Sequence, residues 1–160
     1  MKAILFAILI SAATVFAGPD TELTVGRRTL DKQPKISKPK KNRSELTRGL
    51  HITVKNTGTR PLGEGDVDWA VLVERPGSQQ ALLTTGKEKL KALQIGETAS
   101  FDVGAVAVQE TGATRQDMEY RVVVQRGGEQ AALAESTPKF DQLAQAAHGG
   151  KKGKAAGKKK

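Results

Sequence analysis

The stretch Asp66-Val-Asp-Trp-Ala-Val-Leu-Val-Glu-Arg75 constrains the fold more than any other part of the chain. In an extended backbone successive side chains point to opposite faces. Val67, Trp69, Val71 and Val73 then share one side, and Asp66, Asp68, Ala70, Leu72 and Glu74 the other. Such alternation, with β-branched and aromatic residues on one face, marks a half-buried strand. Trp69 is the only tryptophan, which makes it the expected centre of a core.

The same period recurs along the chain. Thr21–Val25 alternates, with Leu23 and Val25 on one face. Ser44–Lys55 places Leu46, Leu50, Ile52 and Val54 together and His51, Thr53 and Lys55 opposite. Gln80–Thr85, Ile95–Val103 (continuing past a bend at Gly104), Glu119–Arg126 and Gln130–Glu135 complete the set. Turn signals stand between them at Asn56-Thr-Gly58, Pro76-Gly77 and Gly127-Gly128. Lys87–Leu93 is ambiguous, because Leu90 and Leu93 have helical spacing but are only two residues. Thr137-Pro138 offers a helix N-cap followed by proline in the first turn. Phe140, Leu143, Ala144 and Ala147 would line one face of a short helix, which is expected to pack on its own domain. Short strands punctuated by turns predict an all-β antiparallel sandwich of about seven strands with a short C-terminal helix.

The ends read differently. Met1–Ala17 has the layout of a secretory signal peptide: Lys2, the apolar run Ala3–Ile10, and Val15-Phe16-Ala17 before a cut after Ala17. The apolar run is shorter than the roughly 20 residues needed to span a bilayer, so no membrane span is expected after cleavage. The chain contains no cysteine, which excludes a disulfide framework, thiol catalysis and thiolate metal sites. Export to a periplasm or to the extracellular surface is expected. Residues 18–43 are read as a first strand followed by a basic arm, because Asp31–Arg43 combines Pro34 and Pro39 with lysines and few apolar residues. Residues 44–147 form the domain proper. Residues 148–160 form a Lys/Gly/Ala tail, expected to be disordered.

The net charge of +9 is unevenly spread: Gly49–Gly150 holds ten basic and thirteen acidic residues, whereas Lys151–Lys160 holds six lysines and no acid. The basicity therefore belongs to appendages, and the folded part is mildly acidic.

In their order, these landmarks resemble an immunoglobulin-like sandwich of the disulfide-free fibronectin and bacterial adhesion kind. The resemblance covers about Glu45 to Glu135. Trp69 matches the core tryptophan of the third strand, Asp117-Met-Glu-Tyr120 the tyrosine corner, and Leu93-Gln-Ile-Gly-Glu-Thr-Ala-Ser-Phe101 the loop and strand before that corner. The resemblance implies a tyrosine whose hydroxyl bonds back to backbone. The absent cysteine pair and the long basic arm depart from the pattern. More faintly, a small exported domain with a basic tail is similar to surface and pilus-associated proteins of Gram-negative gut bacteria.

Few residues suggest chemistry. His51 and His148 are the only histidines, and a zinc site usually needs three or four ligands, so they read as separate surface residues. Asp66 and Asp68, about 6–7 Å apart on one strand face, follow Glu64 between Gly63 and Gly65. The group has some features of a calcium loop but lacks its full spacing. The two carboxylates also suit glycosidase separations, yet the few aromatics must first fill the core. No Gly-x-Ser-x-Gly, His-Glu-x-x-His or P-loop string is present. The expectation is a non-enzymatic secreted module with no cofactor and no metal, acting in adhesion or surface assembly. Sheet edges would contact other surface proteins or a second copy. Lys35, Lys38, Lys40, Lys41 and Arg43 of the arm, with Lys151, Lys152, Lys154, Lys158, Lys159 and Lys160 of the tail, would contact anionic surface polymers or glycans. The tail has no aromatic residue for base stacking, which argues against specific nucleic-acid recognition. A periplasmic ligand- or polymer-binding accessory protein is the alternative.

Overall fold

The computed structural model describes residues 14–33, 43–74, 81–111, 114–115 and 117–149. Among these the elements run β1 (Thr14–Ala17), β2 (Thr21–Gln33), β3 (Arg43–Asn56), β4 (Gly65–Glu74), β5 (Ala81–Leu90), β6 (Thr98–Thr111), β7 (Thr114–Arg115), β8 (Met118–Arg126), β9 (Glu129–Glu135) and α1 (Phe140–Gly149). They build an all-β antiparallel sandwich with one short C-terminal helix. One sheet has the order β1-β9-β8-β4-β5 and the other β2-β3-β6-β7.

The alternating faces meet in one core. Leu23, Leu50, Ile52, Val54 and Val108 come from the second sheet; Val67, Val71, Tyr120, Val122 and Val124 come from the first. Each fully buried aliphatic side chain contributes about 1.5–3 kcal/mol relative to exposure. Trp69 and Tyr120 lie on adjacent strands, β4 and β8, as the pattern requires. Trp69 is not the centre, however. It is partly buried and packs at the edge of the core, while Tyr120 is 2% exposed. The reason is Gly86 on the edge strand β5. It pairs with Trp69, and a Cβ there would lie 2.1 Å from the indole Cζ2. The ring spreads over the missing side chain and closes the sandwich margin.

Several strands run further than their composition suggests. β2 stays paired with β3 to Gln33, opposite Glu45, with a bulge between Thr29 and Asp31. Thr21–Gln33 is thus an edge strand of the second sheet, and Asp31–Gln33 is strand rather than arm. β5 continues to Leu90, which is buried at 1% exposure; Leu93 then makes an isolated bridge to Leu62. Burial of these leucines from extended backbone accounts for a spacing that also fits a helix. At Gly104 the bend appears as a left-handed φ of 71°, beside the register shift between Arg48 and Leu50. Gly127 and Gly128 adopt φ values of 57° and 84° in the β8–β9 turn, the conformation a two-residue hairpin of this hand demands.

The two ends of the sandwich differ. At one end Asn56 is fully buried and acts as a lock. Its Oδ1 accepts from Gly58 N–H at 2.9 Å, and its Nδ2 donates to the carbonyls of Arg60 at 2.9 Å and Leu93 at 3.2 Å. At the other end the β2–β3, β4–β5 and β6–β8 connections leave together, because Gln33 pairs with Glu45, Glu74 with Ala81, and Val73 with Met118. Thr137 caps α1, its Oγ1 accepting from Lys139 N–H at 3.3 Å. Phe140 is 3% exposed, and the helix packs on β5 and β8. Among the described residues no helix is long and apolar enough to cross a membrane.

Candidate functional site

The acidic entry of β4 is the first place to look for chemistry. Asp66 and Asp68 project from the outer face, as their spacing requires. The register sets Lys89 opposite Asp66 and Lys87 opposite Asp68. Lys89 Nζ lies 2.7 Å from Asp66 Oδ1, and Lys87 Nζ lies 3.1 Å from Asp68 Oδ1 and 3.6 Å from Asp66 Oδ2. The hydrogen bond from Lys89 is the main cause that holds the Asp66 carboxyl below its ordinary 3.8. Reciprocally, the bond to Asp68 is the main cause that raises Lys87 above 10.5. Ammonium groups therefore occupy the positions where a hard cation would need oxygen ligands. Glu64 is exposed outside the strand. Among the described residues no group of three or more His, Asp or Glu side chains converges on a metal-sized space.

Two depressions adjoin these pairs. A shallow groove of about 550 Å³ on the outer face is lined by Asp68, Ala70, Thr85, Lys87, Arg121 and Val123. Arg121 is tied down within it, 3.1 Å from Glu135 and 2.6 Å from Asp141 of α1. A second depression of about 440 Å³ lies by the β8–β9 turn, with Asp66, Lys89, Gln125 and Gly127 on its walls.

The histidines are on opposite sides of the molecule. His51 lies on the outer face of the second sheet, its Nδ1 2.7 Å from Asp102 Oδ1, and Arg28 completes the row 2.9 Å from Asp102 Oδ2. The bond with His51 is the first cause that keeps the Asp102 carboxyl below 3.8. His148 belongs to α1, which packs on the first sheet.

One polar cluster is not apparent from the sequence. Past the end of β9, Ser136 Oγ accepts from Tyr120 N–H at 2.7 Å, Ser136 N–H donates to Tyr120 O at 3.0 Å, and the Ser136 hydroxyl donates to Glu119. Arg27 reaches across from β2, 3.8 Å from Glu119 and 5.8 Å from the Tyr120 ring centroid. Burial pushes the phenol above its ordinary 10. Tyr120 is thus anchored through its backbone and its ring face. The hydroxyl-to-backbone bond implied by the tyrosine corner does not occur among the described residues. Strand alternation reveals Tyr120 but not its partners, because Arg27 and Ser136 are distant in sequence and meet only across the sandwich.

Of the basic residues expected to contact polymers, Arg43 alone is described; it opens β3, paired with Thr111. Lys35, Lys38, Lys40 and Lys41, and the tail from Lys151 to Lys160, lie outside the described residues.

No protein family matches the chain, and no curated protein sequence does. Among solved structures the chain is similar to a crystal structure from Akkermansia muciniphila, with 14% identity over 79% of this chain and 75% of that one, at a TM-score of 0.38.

Proposed function

We propose that this chain is a non-enzymatic, exported, immunoglobulin-like module for adhesion or surface assembly, whose basic arm and tail contact anionic surface polymers. The strand order supports the fold reading. β2-β3-β6 and β9-β8-β4-β5 correspond in sequence to strands A-B-E and G-F-C-C′ of such sandwiches. The observation that carries the functional reading is the separation of charge. Acidic groups of the sandwich, such as Asp66, Asp68 and Asp102, already face cations of their own domain. The lysines of residues 35–41 instead fall in a connection whose two strands leave the sheet side by side at one end. Binding of that kind is sequence-independent and weakens steeply with salt, since each contact releases counterions.

Salt-gradient elution from a sulfated polysaccharide resin tests it. Replacing Lys35, Lys38, Lys40 and Lys41 by Gln, or deleting Lys151–Lys160, should lower the eluting salt concentration, and the two changes together should lower it further. Elution unchanged by both refutes the polymer role. The groove beside α1 favours a second reading, a periplasmic accessory protein that binds a small ligand. Solution mass separates the two, since a stable oligomer fits assembly and a monomer fits a soluble binder.

A further inference from the structure

β5 ends its sheet with one side open. Among the described residues it pairs only with β4. A bare edge offers a row of N–H and C=O groups to another strand unless charge, proline or a bulge guards it. Here the guard covers half of the strand. Lys87, Glu88 and Lys89 stand toward its end, whereas Ala81-Leu-Leu-Thr-Thr-Gly86 has no charge and no proline. Its register against β4 runs without a break.

This half carries a projection and a hollow on the same face. Leu82 stands opposite the core residue Val73 and so faces inward, yet at the sandwich margin it stays 39% exposed. Gly86 leaves that face empty, and the Trp69 ring spreads into the space. Behind the ring is β6, where a Cβ on Gly104 would lie 3.5 Å from the indole Cζ3. Toward the open edge the ring is only partly buried. Leu82 and Gly86 each lie two residues from Thr84, so a two-fold axis through Thr84 exchanges the projection with the hollow.

We propose that two copies of this chain pair antiparallel through β5, about a two-fold axis at Thr84. The pairing deepens the assembly reading above and rests on it. Thr84 meets Thr84, Leu83 meets Thr85, Leu82 meets Gly86 and Ala81 meets Lys87. Leu82 of each copy is thereby set against Trp69 of the other, a contact made twice in an isologous dimer. The charges agree with this register. On the outer face Lys87 lies between Asp68 of its own copy and, beyond the small Ala81, Glu74 of the other. Neighbouring registers fit less well. An axis at Thr85 sets Leu82 against Glu88 and Leu83 against Lys87. An axis at Leu83 sets Leu82 against Thr84 and leaves the hollow at Gly86 unfilled. Strand addition of this kind draws its affinity from main-chain bonds and its register from the side chains that fill pockets.

Equilibrium sedimentation of the full chain tests the association. The mass should rise toward that of two chains with concentration, while the single-tryptophan emission moves to the blue. Leu82→Asp should weaken the dimer about tenfold or more, since both leucine contacts are lost. Cysteine substitution reads the register in a chain that has no cysteine of its own. Opposed residues of an antiparallel pair have Cα atoms about 4.5–5.5 Å apart, within the span of a disulfide. Thr84→Cys should therefore form a disulfide-linked dimer under oxidation, and Thr85→Cys should do so about tenfold more slowly or less. A mass fixed at one chain at every concentration overturns the pairing and the self-assembly together. A dimer that Leu82→Asp leaves intact, or one that links equally through either cysteine, overturns the β5 pairing and leaves assembly standing.

Discussion

Asn56 gives the most quantitative test of how this sandwich is held. Its carboxamide is fully buried and serves three backbone groups. Replacement by Ala affects them unequally. Leu93 O keeps the hydrogen bond from Leu62 N–H at 2.8 Å, and Arg60 sits on an exposed turn where water can replace the lost donor. Gly58 N–H is left buried without its acceptor. An orphaned buried donor costs about 1–3 kcal/mol and each lost ordinary bond about 0.5–1.5 kcal/mol. The expected loss for Asn56→Ala is therefore about 2–4 kcal/mol, read as a lowered urea midpoint at unchanged slope. Asn56→Asp adds a signature that a mere packing change lacks. The carboxylate still accepts from Gly58 N–H but turns a negative oxygen toward two carbonyls, and burial raises its folded pKa above the unfolded value of about 3.9. The folded state then holds a proton that the unfolded state has lost. The variant is least impaired below about pH 3.9, and its deficit against wild type grows as pH rises through the folded pKa. Urea melts followed by circular dichroism at acid and neutral pH measure both effects. A loss below about 0.5 kcal/mol for the Ala variant, within the scatter of neutral surface changes, would refute the lock. So would an Asp variant that recovers relative to wild type as pH rises.

Two further changes probe other parts of the molecule. Gly86→Ala places a methyl where the Trp69 ring lies, so the indole must move outward; the expected outcome is a red shift of the single-tryptophan emission with a loss of about 1–3 kcal/mol in denaturant melts. Asp102 has its carboxyl held below 3.8 by His51 and Arg28. Its contribution is therefore present above that pH and lost as pH falls through the lower folded value. Asp102→Asn should flatten the acid limb of the melting temperature, and a limb as steep as that of wild type would count against the His51–Asp102 contact.

The strands were legible wherever one face is buried and the other solvated, because that asymmetry writes a period of two into the sequence. Tyr120, Val122 and Val124 follow it without exception, and so do Ile52 and Val54. The pattern fails where the reason for a strand lies in its neighbour. Asp31–Gln33 looks like arm because it is charged and precedes Pro34, yet β3 supplies a full ladder opposite it. Lys87 and Lys89 look like ordinary surface residues, and Asp66 and Asp68 like a possible ion site. Spacing along one strand correctly places the two carboxylates on one face. It cannot show that the next strand presents an ammonium to each, since that depends on the register of β4 against β5. Trp69 follows the same logic. Its rarity suggests the middle of the core, but a large ring also suits the margin, provided the facing strand gives up its side chain. Gly86, between the expected strand Gln80–Thr85 and the ambiguous run Lys87–Leu93, is that concession, and in the sequence it carries no mark of the residue it faces. What a single strand encodes here is which way its side chains point; what those side chains do is decided by pairing, and pairing is a property of two strands.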